Sequence, residues 1–228
     1  MADLFTKITS ESAGASPYEF TAVTVEAGTT FAPSTDDKYA GSYSYKAAFD
    51  GSDNSAYGSK SFTENKSCYF KFYFKFNTGF AIPGDIAIFL GRDSTTNIIY
   101  FYINSSLSLY RLQHRIDSGA AYTDPASPPT ITLNEWHCIE LYYKSASAAG
   151  ANDGEAWIKY DGTTIASATE LDNDTIACDN FRVGNTLTTV PGAGSIMFFD
   201  DIEGLDAVPG GGAVAGAVLY YHHRHHNE

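Results

Sequence analysis

Cys68-Tyr69-Phe70-Lys71-Phe72-Tyr73-Phe74-Lys75-Phe76 is the stretch that decides the fold. Cys68, Phe70, Phe72, Phe74 and Phe76 alternate with Tyr69, Lys71, Tyr73 and Lys75, and a period of two sends the two sets to opposite faces of a strand. One face is apolar and the other mixed, which is the pattern of a half-buried β-strand. Similar runs occur at 86–90, 98–103, 107–116, 136–144, 155–160, 180–184 and 195–203. Between them lies turn chemistry: Asn77-Thr78-Gly79, Asp117-Ser118-Gly119, Asn152-Asp153-Gly154 and Asp161-Gly162, where Gly accepts positive φ and Asx side chains cap the bend. Asp161-Gly162, between Trp157–Tyr160 and Thr163–Ile165, predicts a tight hairpin. The segment 124–130 carries Pro125, Pro128 and Pro129, lacks the donors of a central strand, and is expected to be a surface loop. No amphipathic helix is predicted before residue 210. The sum is an all-β sandwich.

Composition narrows the function classes. The 228 residues suffice for one large domain or two small ones, and for a sizeable core. With 14 Lys and Arg against 27 Asp and Glu the net charge is −13, which argues against nucleic acid as partner, because phosphate binding needs clustered cations. Hydrophobic residues at 43% against 18% charged place the chain among globular proteins, and 16 Tyr with 15 Phe lean it towards β-structure. No secretory signal is read at MADLFTKITSES and no membrane span is expected anywhere. Cys68, Cys138 and Cys178 form no CxxC pair and read as buried free thiols in preference to a disulfide. Asn65, Asn104 and Asn173 stand in N-x-S/T triplets, which carry little weight without a signal peptide.

The C-terminal end departs from the strand pattern. Residues 207–212 form a Gly-rich linker, and 213–228 an apolar stretch followed by His222-His223-Arg224-His225-His226. Val214, Val218, Leu219, Tyr220, Tyr221 and His222 are the expected assembly contacts, made to the same chain, another copy or a capsid or tail scaffold protein. The four histidines read as a cationic tip ahead of a zinc or nickel site, since no acidic or thiol ligand accompanies them.

The chain resembles the concanavalin-A-like lectin and glucanase superfamily, in particular its laminin-G-like jelly rolls. The resemblance rests on Gly41-Ser-Tyr-Ser-Tyr-Lys-Ala-Ala-Phe-Asp50, on Lys60-Ser-Phe62 leading to the aromatic strand, and on Asn134-Glu-Trp-His-Cys-Ile-Glu-Leu-Tyr-Tyr143. It continues through Gly154-Glu-Ala-Trp-Ile-Lys-Tyr-Asp-Gly162 to Ile196-Met-Phe-Phe-Asp-Asp-Ile-Glu203, covering roughly residues 40 to 206. It implies an all-β, two-sheet antiparallel jelly-roll sandwich over residues 1–206, the sheets face to face and the concave one offering a carbohydrate groove. It also implies calcium, held by Asp201 and, second to it, Asp200, with Glu11 or Asp50 completing the site; the Asp172-Asn173-Asp174 loop is a weaker alternative.

Alternation sorts the polar residues by face. In the 107–116 strand Tyr110, Leu112, His114 and Ile116 oppose Leu109, Arg111, Gln113 and Arg115, while Trp136, Cys138, Glu140, Tyr142 and Lys144 share one side of the next run. If these strands are neighbours, Lys71, Tyr73, Arg111, Gln113, Arg115, Glu140, Tyr142 and Trp157 line one surface suited to a sugar chain. Aromatic rings would stack on pyranose faces while Arg, Gln and Glu satisfy hydroxyls or carboxylates. The alternative is a solvated face whose charges pair across strands.

Catalysis finds less support. A polysaccharide lyase of this fold needs a cation or amide to neutralise a uronate carboxylate and a Tyr or His to move protons. Gln113 and His114 are adjacent, so they point to opposite faces, and Tyr69-Phe-Lys71 lies too early to be the lyases' C-terminal motif. No glucanase-like array of carboxylates appears on a strand. The expectation is a non-enzymatic structural and adhesion module, glycan-binding, in a virion or extracellular assembly; the alternative is a polysaccharide lyase or glycoside hydrolase.

Overall fold

A computed structural model describes residues 1–11 and 14–209. Fourteen strands follow in order: β1 (Ala22–Val25), β2 (Thr29–Ser34), β3 (Ser44–Phe49), β4 (Ala56–Asn65), β5 (Ser67–Phe76), β6 (Phe89–Asp93), β7 (Thr96–Ile103), β8 (Leu109–Ile116), β9 (Gly119–Thr123), β10 (His137–Lys144), β11 (Gly154–Tyr160), β12 (Thr163–Leu171), β13 (Cys178–Asn185) and β14 (Ile196–Leu205). They form two seven-stranded antiparallel sheets. The first runs β1-β4-β13-β6-β7-β8-β9 and the second β12-β11-β10-β5-β14-β3-β2. This is the expected jelly-roll sandwich; the predicted runs all meet strands except that 86–90 is displaced, β6 being Phe89–Asp93 with Ile86 making an isolated bridge to Ile103. The described residues contain no helix long and apolar enough to cross a membrane.

The aromatic strand β5 is central in the second sheet, between β10 and β14. Its inward phenylalanines hold the sheets together: Phe72 stacks on Phe89 of β6 with centroids 5.2 Å apart, and Phe70 meets Phe181 of β13 at 5.8 Å. Phe89 and Phe181 stack in turn at 5.5 Å. These rings belong to one continuous core that also takes in Tyr45, Ile139, Leu141, Tyr143 and Phe199. Removing a ring such as Phe72 from it would cost about 3–5 kcal/mol, transfer and cavity terms together.

The turn chemistry works as read. Asp161 and Gly162 have φ of 46° and 80°, and join β11 to β12 with Tyr160 facing Thr163. Both central residues are thus left-handed, the geometry of the favoured two-residue hairpin. Asp161 adds a second tie, accepting from the Cys138 N–H at 2.7 Å. Gly58 on β4 serves a different purpose, because Phe20 lies flat against it where a Cβ would stand 2.7 Å from the ring.

The expected facing of one residue changes. A bulge in β8 inserts Tyr110, so Leu109 is buried in the core instead of pointing outwards with Arg111. The strict alternation holds only from Arg111 onwards, since the extra residue shifts the phase. The three cysteines are free, as expected, with Cys68 and Cys178 buried and Cys138 partly exposed. The sandwich itself ends with Leu205, and Asp206 donates its N–H to Ala2. The assembly residues Val214, Val218, Leu219, Tyr220, Tyr221 and His222 lie outside the described residues.

Candidate functional site on the outer face of the first sheet

The strand order divides the predicted surface in two. Arg111, Gln113 and Arg115 stand on β8 in the first sheet, whereas Lys71, Tyr73, Glu140, Tyr142 and Trp157 stand on β5, β10 and β11 in the second. Both sets face outwards, on opposite sides of the molecule. They therefore do not form one surface. The cause is pairing, because β8 hydrogen-bonds to β7 and β9 and never meets β5.

On the first sheet the register brings a row of side chains straight across six strands. Ser59 of β4 pairs with Arg182 of β13, Arg182 with Leu90 of β6, Leu90 with Tyr100 of β7, Tyr100 with Gln113 of β8, and Gln113 with Tyr122 of β9. At about 4.8 Å per strand the row is about 24 Å long. Beside it Asn180 pairs with Arg92 and Arg92 with Asn97, while Tyr102 pairs with Arg111 on the other flank.

Hydrogen bonds organise the middle of this row. The buried Tyr100 hydroxyl donates to Gln113 Oε1 at 2.5 Å and lies 2.7 Å from the Tyr102 hydroxyl. Burial first, then the neighbouring hydroxyl of Tyr102, pushes the Tyr100 phenol well above its ordinary value. It is a neutral donor and no ready base. At one end the Arg182 guanidinium lies 4.7 Å from the centre of the Tyr57 ring. Arg92 donates to Asn97 Oδ1 at 3.1 Å and to the Thr95 carbonyl at 2.5 Å. Burial, and then the charge of Arg182, pull its pKa down. Neither arginine has a carboxylate within ion-pair distance among the described residues. At the other end Arg111 sits between the rings of Tyr110 and Tyr122 and grips Asp124 through two bonds of 2.8 and 3.1 Å.

His114 faces the interior, as alternation requires. It is nearly fully buried, with Nε2 3.2 Å from Thr123 Oγ1 and Nδ1 without a partner. Burial lowers its pKa. Gln113 and His114 accordingly do not converge on one ligand.

The calcium set does not assemble. The Asp200 carboxylate is fully buried and accepts the backbone N–H groups of Tyr39, Ala40 and Asp201 at 3.0, 3.1 and 2.8 Å. Desolvation raises its pKa. Asp201 is salt-bridged to Lys7 at 2.9 Å, Glu11 accepts from the Ser42 and Tyr43 N–H groups, and Asp50 accepts from Ser52. Asp200, Glu11 and Asp50 are thus spent on backbone donors of different segments and Asp201 on the Lys7 ammonium, in place of a shared ion. Among the described residues only Asp117, Asp172 and Asp174 bring three carboxylates within 4.8 Å of one another, at a solvent-facing loop. There Asp117 already accepts from the Thr175 hydroxyl and N–H. A cleft of about 560 Å³ opens at one end of the sandwich between Ile82, Pro83, Val190 and Pro191, with Asp50 at its rim. Its lining is apolar and offers no acid–base pair.

Sequence reasoning missed Tyr57, Arg92, Asn97, Tyr100, Tyr102, Asn180 and Arg182. The signal was present in part, since Tyr100 and Tyr102 alternate with Ile99, Phe101 and Ile103, and Arg182 stands between Phe181 and Val183.

No protein-family profile matches the chain, and no curated protein matches it in sequence. Solved structures do match in fold. An endo-β-1,4-glucuronan lyase from the fungus Trichoderma reesei is 15% identical with a TM-score of 0.61, over 85% of this chain and 93% of that one. An alginate lyase from Aplysia kurodai is 13% identical with a TM-score of 0.60, over 90% and 99%. A carbohydrate esterase from the Shiga toxin-encoding bacteriophage phi24B is 16% identical with a TM-score of 0.59, over 89% and 97%. The chain has the concanavalin-A-like jelly-roll fold, as its strand motifs imply.

Proposed function

We propose that this protein binds an acidic polysaccharide along the outer face of its first sheet. One observation carries the reading: Arg92, Arg111, Arg115 and Arg182, every arginine among the described residues, stand on that face, interleaved with Tyr57, Tyr100, Tyr102 and Tyr122. In a chain of net charge −13 such a concentration, with Arg92 and Arg182 free of carboxylate partners, suits a ligand that brings its own carboxylates. Tyr57, Tyr102 and Tyr122, which reach the surface, supply flat apolar faces for sugar rings, and Asn97 and Asn180 supply hydroxyl partners, while the buried Tyr100–Gln113 pair holds the row in place. The row is long enough for several sugar units. The three fold relatives named above, by their titles two lyases and an esterase acting on carbohydrates, are in keeping with this ligand class.

A second reading is a polysaccharide lyase, favoured by the hydroxyls of Tyr57 and Tyr102 on the same face as Arg92 and Arg182. The arginines would neutralise the uronate carboxylate, and a tyrosine would take the C5 proton or protonate the leaving oxygen. Binding is the better supported, because the buried Tyr100–Gln113 pair is held as a neutral network and His114 is turned inwards. Incubation with acidic and neutral polysaccharides, measuring retention and chain length in the same samples, separates the readings. Retention of polyuronates without shortening is expected; shortening with new unsaturated ends establishes the lyase; no retention of any acidic chain removes both.

Membership of a virion or extracellular assembly is a further part of the proposal, supported by the Gly-rich linker and apolar segment at 207–228. Loss of particle association on ending the chain after Ala207, with glycan retention intact, is the expected outcome.

A further inference from the structure

Two buried nucleophiles take no part in the glycan face. Cys68 is the second residue of β5 in the second sheet, Cys178 the first residue of β13 in the first, and both are fully buried in the core between the sheets. The turn from β4 to β5 brings them together. Asn65 closes β4 and stands opposite Cys178 in register; after Lys66 the chain enters the other sheet, where the Cys68 thiol points back to the Asn65 carbonyl at 3.6 Å. The Cys178 sulfur lies 3.6 Å from the point above Gly91 where a Cβ would stand, and Phe70 Cε2, on the same inward face of β5 as Cys68, lies 3.5 Å from that point. The two thiols are in hydrogen-bonding contact, and this contact first, then burial, pushes the Cys68 thiol far above its ordinary value. Cys138 stands apart, on the outer face of the second sheet opposite Tyr73, and is partly exposed.

We infer that Cys68 and Cys178 are a modification site: an inter-sheet dithiol that closes to a disulfide when the chain folds in the presence of a small-molecule disulfide. One thiolate attacks a sulfur of the reagent and releases one small thiol; the other attacks the mixed disulfide at its protein sulfur, forms the Cys68–Cys178 bond and releases the second. Two electrons pass from the dithiol to the reagent, and the two thiol protons end on the released thiols. Because both sulfurs are fully buried, a reagent does not reach them in the closed sandwich, so the bond forms while the sheets are still coming together. The placement suits a cross-link. A disulfide stabilises chiefly by restricting the unfolded chain, more so the longer the loop it closes, and this one encloses residues 69–177. It fastens β5, the central strand of the second sheet, to the strand that carries Asn180 and Arg182. Other β-sandwich domains join their two sheets by one such bond.

Refolding one protein in two ways tests this. Full-length chain carrying Cys138→Ser, which keeps the buried pair and loses the third thiol, is unfolded, reduced, and diluted either into reduced and oxidised glutathione or into a reducing buffer. After refolding with glutathione the intact mass should fall by about 2 Da and a proteolytic digest should hold Cys68 and Cys178 in one linked peptide. The melting temperature should rise by about 5–10 °C over the reduced chain. In the reduced folded chain both thiols should resist an alkylating reagent that labels them after unfolding. Cys68→Ser and, separately, Cys178→Ser should abolish the mass change and the gain in melting temperature. The unsubstituted chain, refolded beside them, reads the same linked peptide if a variant folds poorly. Glutathione adducts, bonds between chains or two free thiols in the oxidised folded protein would overturn the inference. So would a linked pair that melts no higher than the reduced chain, because the bond would then be imposed against the fold.

Discussion

The two outer faces of the sandwich solve the problem of polar side chains on a sheet in opposite ways. On the second sheet the cations are lysines, and three of them are paired: Lys75 with Asp37 and Lys46 with Asp36, both at 2.6 Å, and Lys159 with Glu140 at 3.9 Å. Lys71 stands in register between Glu140 and Glu203. The segment before β3 lies over this face, with Tyr39 stacked on Tyr73 at 3.6 Å and Asp37 accepting from Trp136 Nε1 at 3.0 Å. On the first sheet the cations are arginines, and Arg92, Arg115 and Arg182 have no ion-pair partner among the described residues. Cross-strand pairs within one face stabilise register and leave little field to attract a ligand. Arg115 and Arg182 do the reverse, keeping planar donor forks available for a carboxylate, while Arg92, largely buried and bonded to Asn97 and the Thr95 carbonyl, adds its charge from beneath. Internal pairing, more than the presence of charge, tells a structural face from a binding one.

The sharpest way to break this comparison is to exchange the losses. Arg92→Ala with Arg182→Ala should weaken polyuronate retention about 100-fold, at about 1.5 kcal/mol for each charged hydrogen-bonding group. Lys71→Ala with Lys159→Ala should leave it within about twofold, since both stand on the opposite sheet from the arginine row. Comparable losses from both pairs, read by affinity electrophoresis, would erase the distinction.

Stability should show the converse. Lys75→Ala removes the partner of Asp37, which also holds Trp136, and should cost about 2 kcal/mol in denaturant unfolding. Arg182→Ala should change stability by no more than about 0.5 kcal/mol.

A smaller effect concerns the interior behind the arginine row. The His114 pKa is lowered by burial, so between that value and the unfolded value near 6.5 the unfolded chain binds the extra proton. The stability contributed by neutral His114 is complete above about pH 6.5 and is lost as the pH falls towards the folded-state value. Unfolding curves at pH 7.5 and 5.5 should differ more for the natural chain than for His114→Gln. The smallest change is expected from Asp124→Ala, which releases Arg111 from its bidentate partner; stability should hold, and retention of acidic chains should rise slightly, with a steeper fall in salt.

Much of the core was legible in the sequence. The aromatic strand announced Phe70, Phe72, Phe74 and Phe76 as inward residues, and all four are buried in the main cluster. Three residues of the candidate site were legible as well, since alternation in β8 set Arg111, Gln113 and Arg115 on one face. The bulge at Tyr110 escaped that reading, because one inserted residue leaves no mark in a short pattern. Arg182 escaped for a different reason. β13 is inserted between β4 and β6, which precede it by more than 80 residues, and nothing within β13 names those neighbours.

Alternation, turn residues and composition are local properties, and they alone determined that the chain is an all-β sandwich with phenylalanine between its sheets. Which strands lie side by side is a long-range choice, made when Phe72, Phe89 and Phe181 close on one another and the backbone of each strand finds its partner. That choice put Lys71 and Glu140 on one side of the molecule and Arg111 and Gln113 on the other. It also laid Arg182, Leu90, Tyr100, Gln113 and Tyr122 in a single row that no stretch of sequence contains.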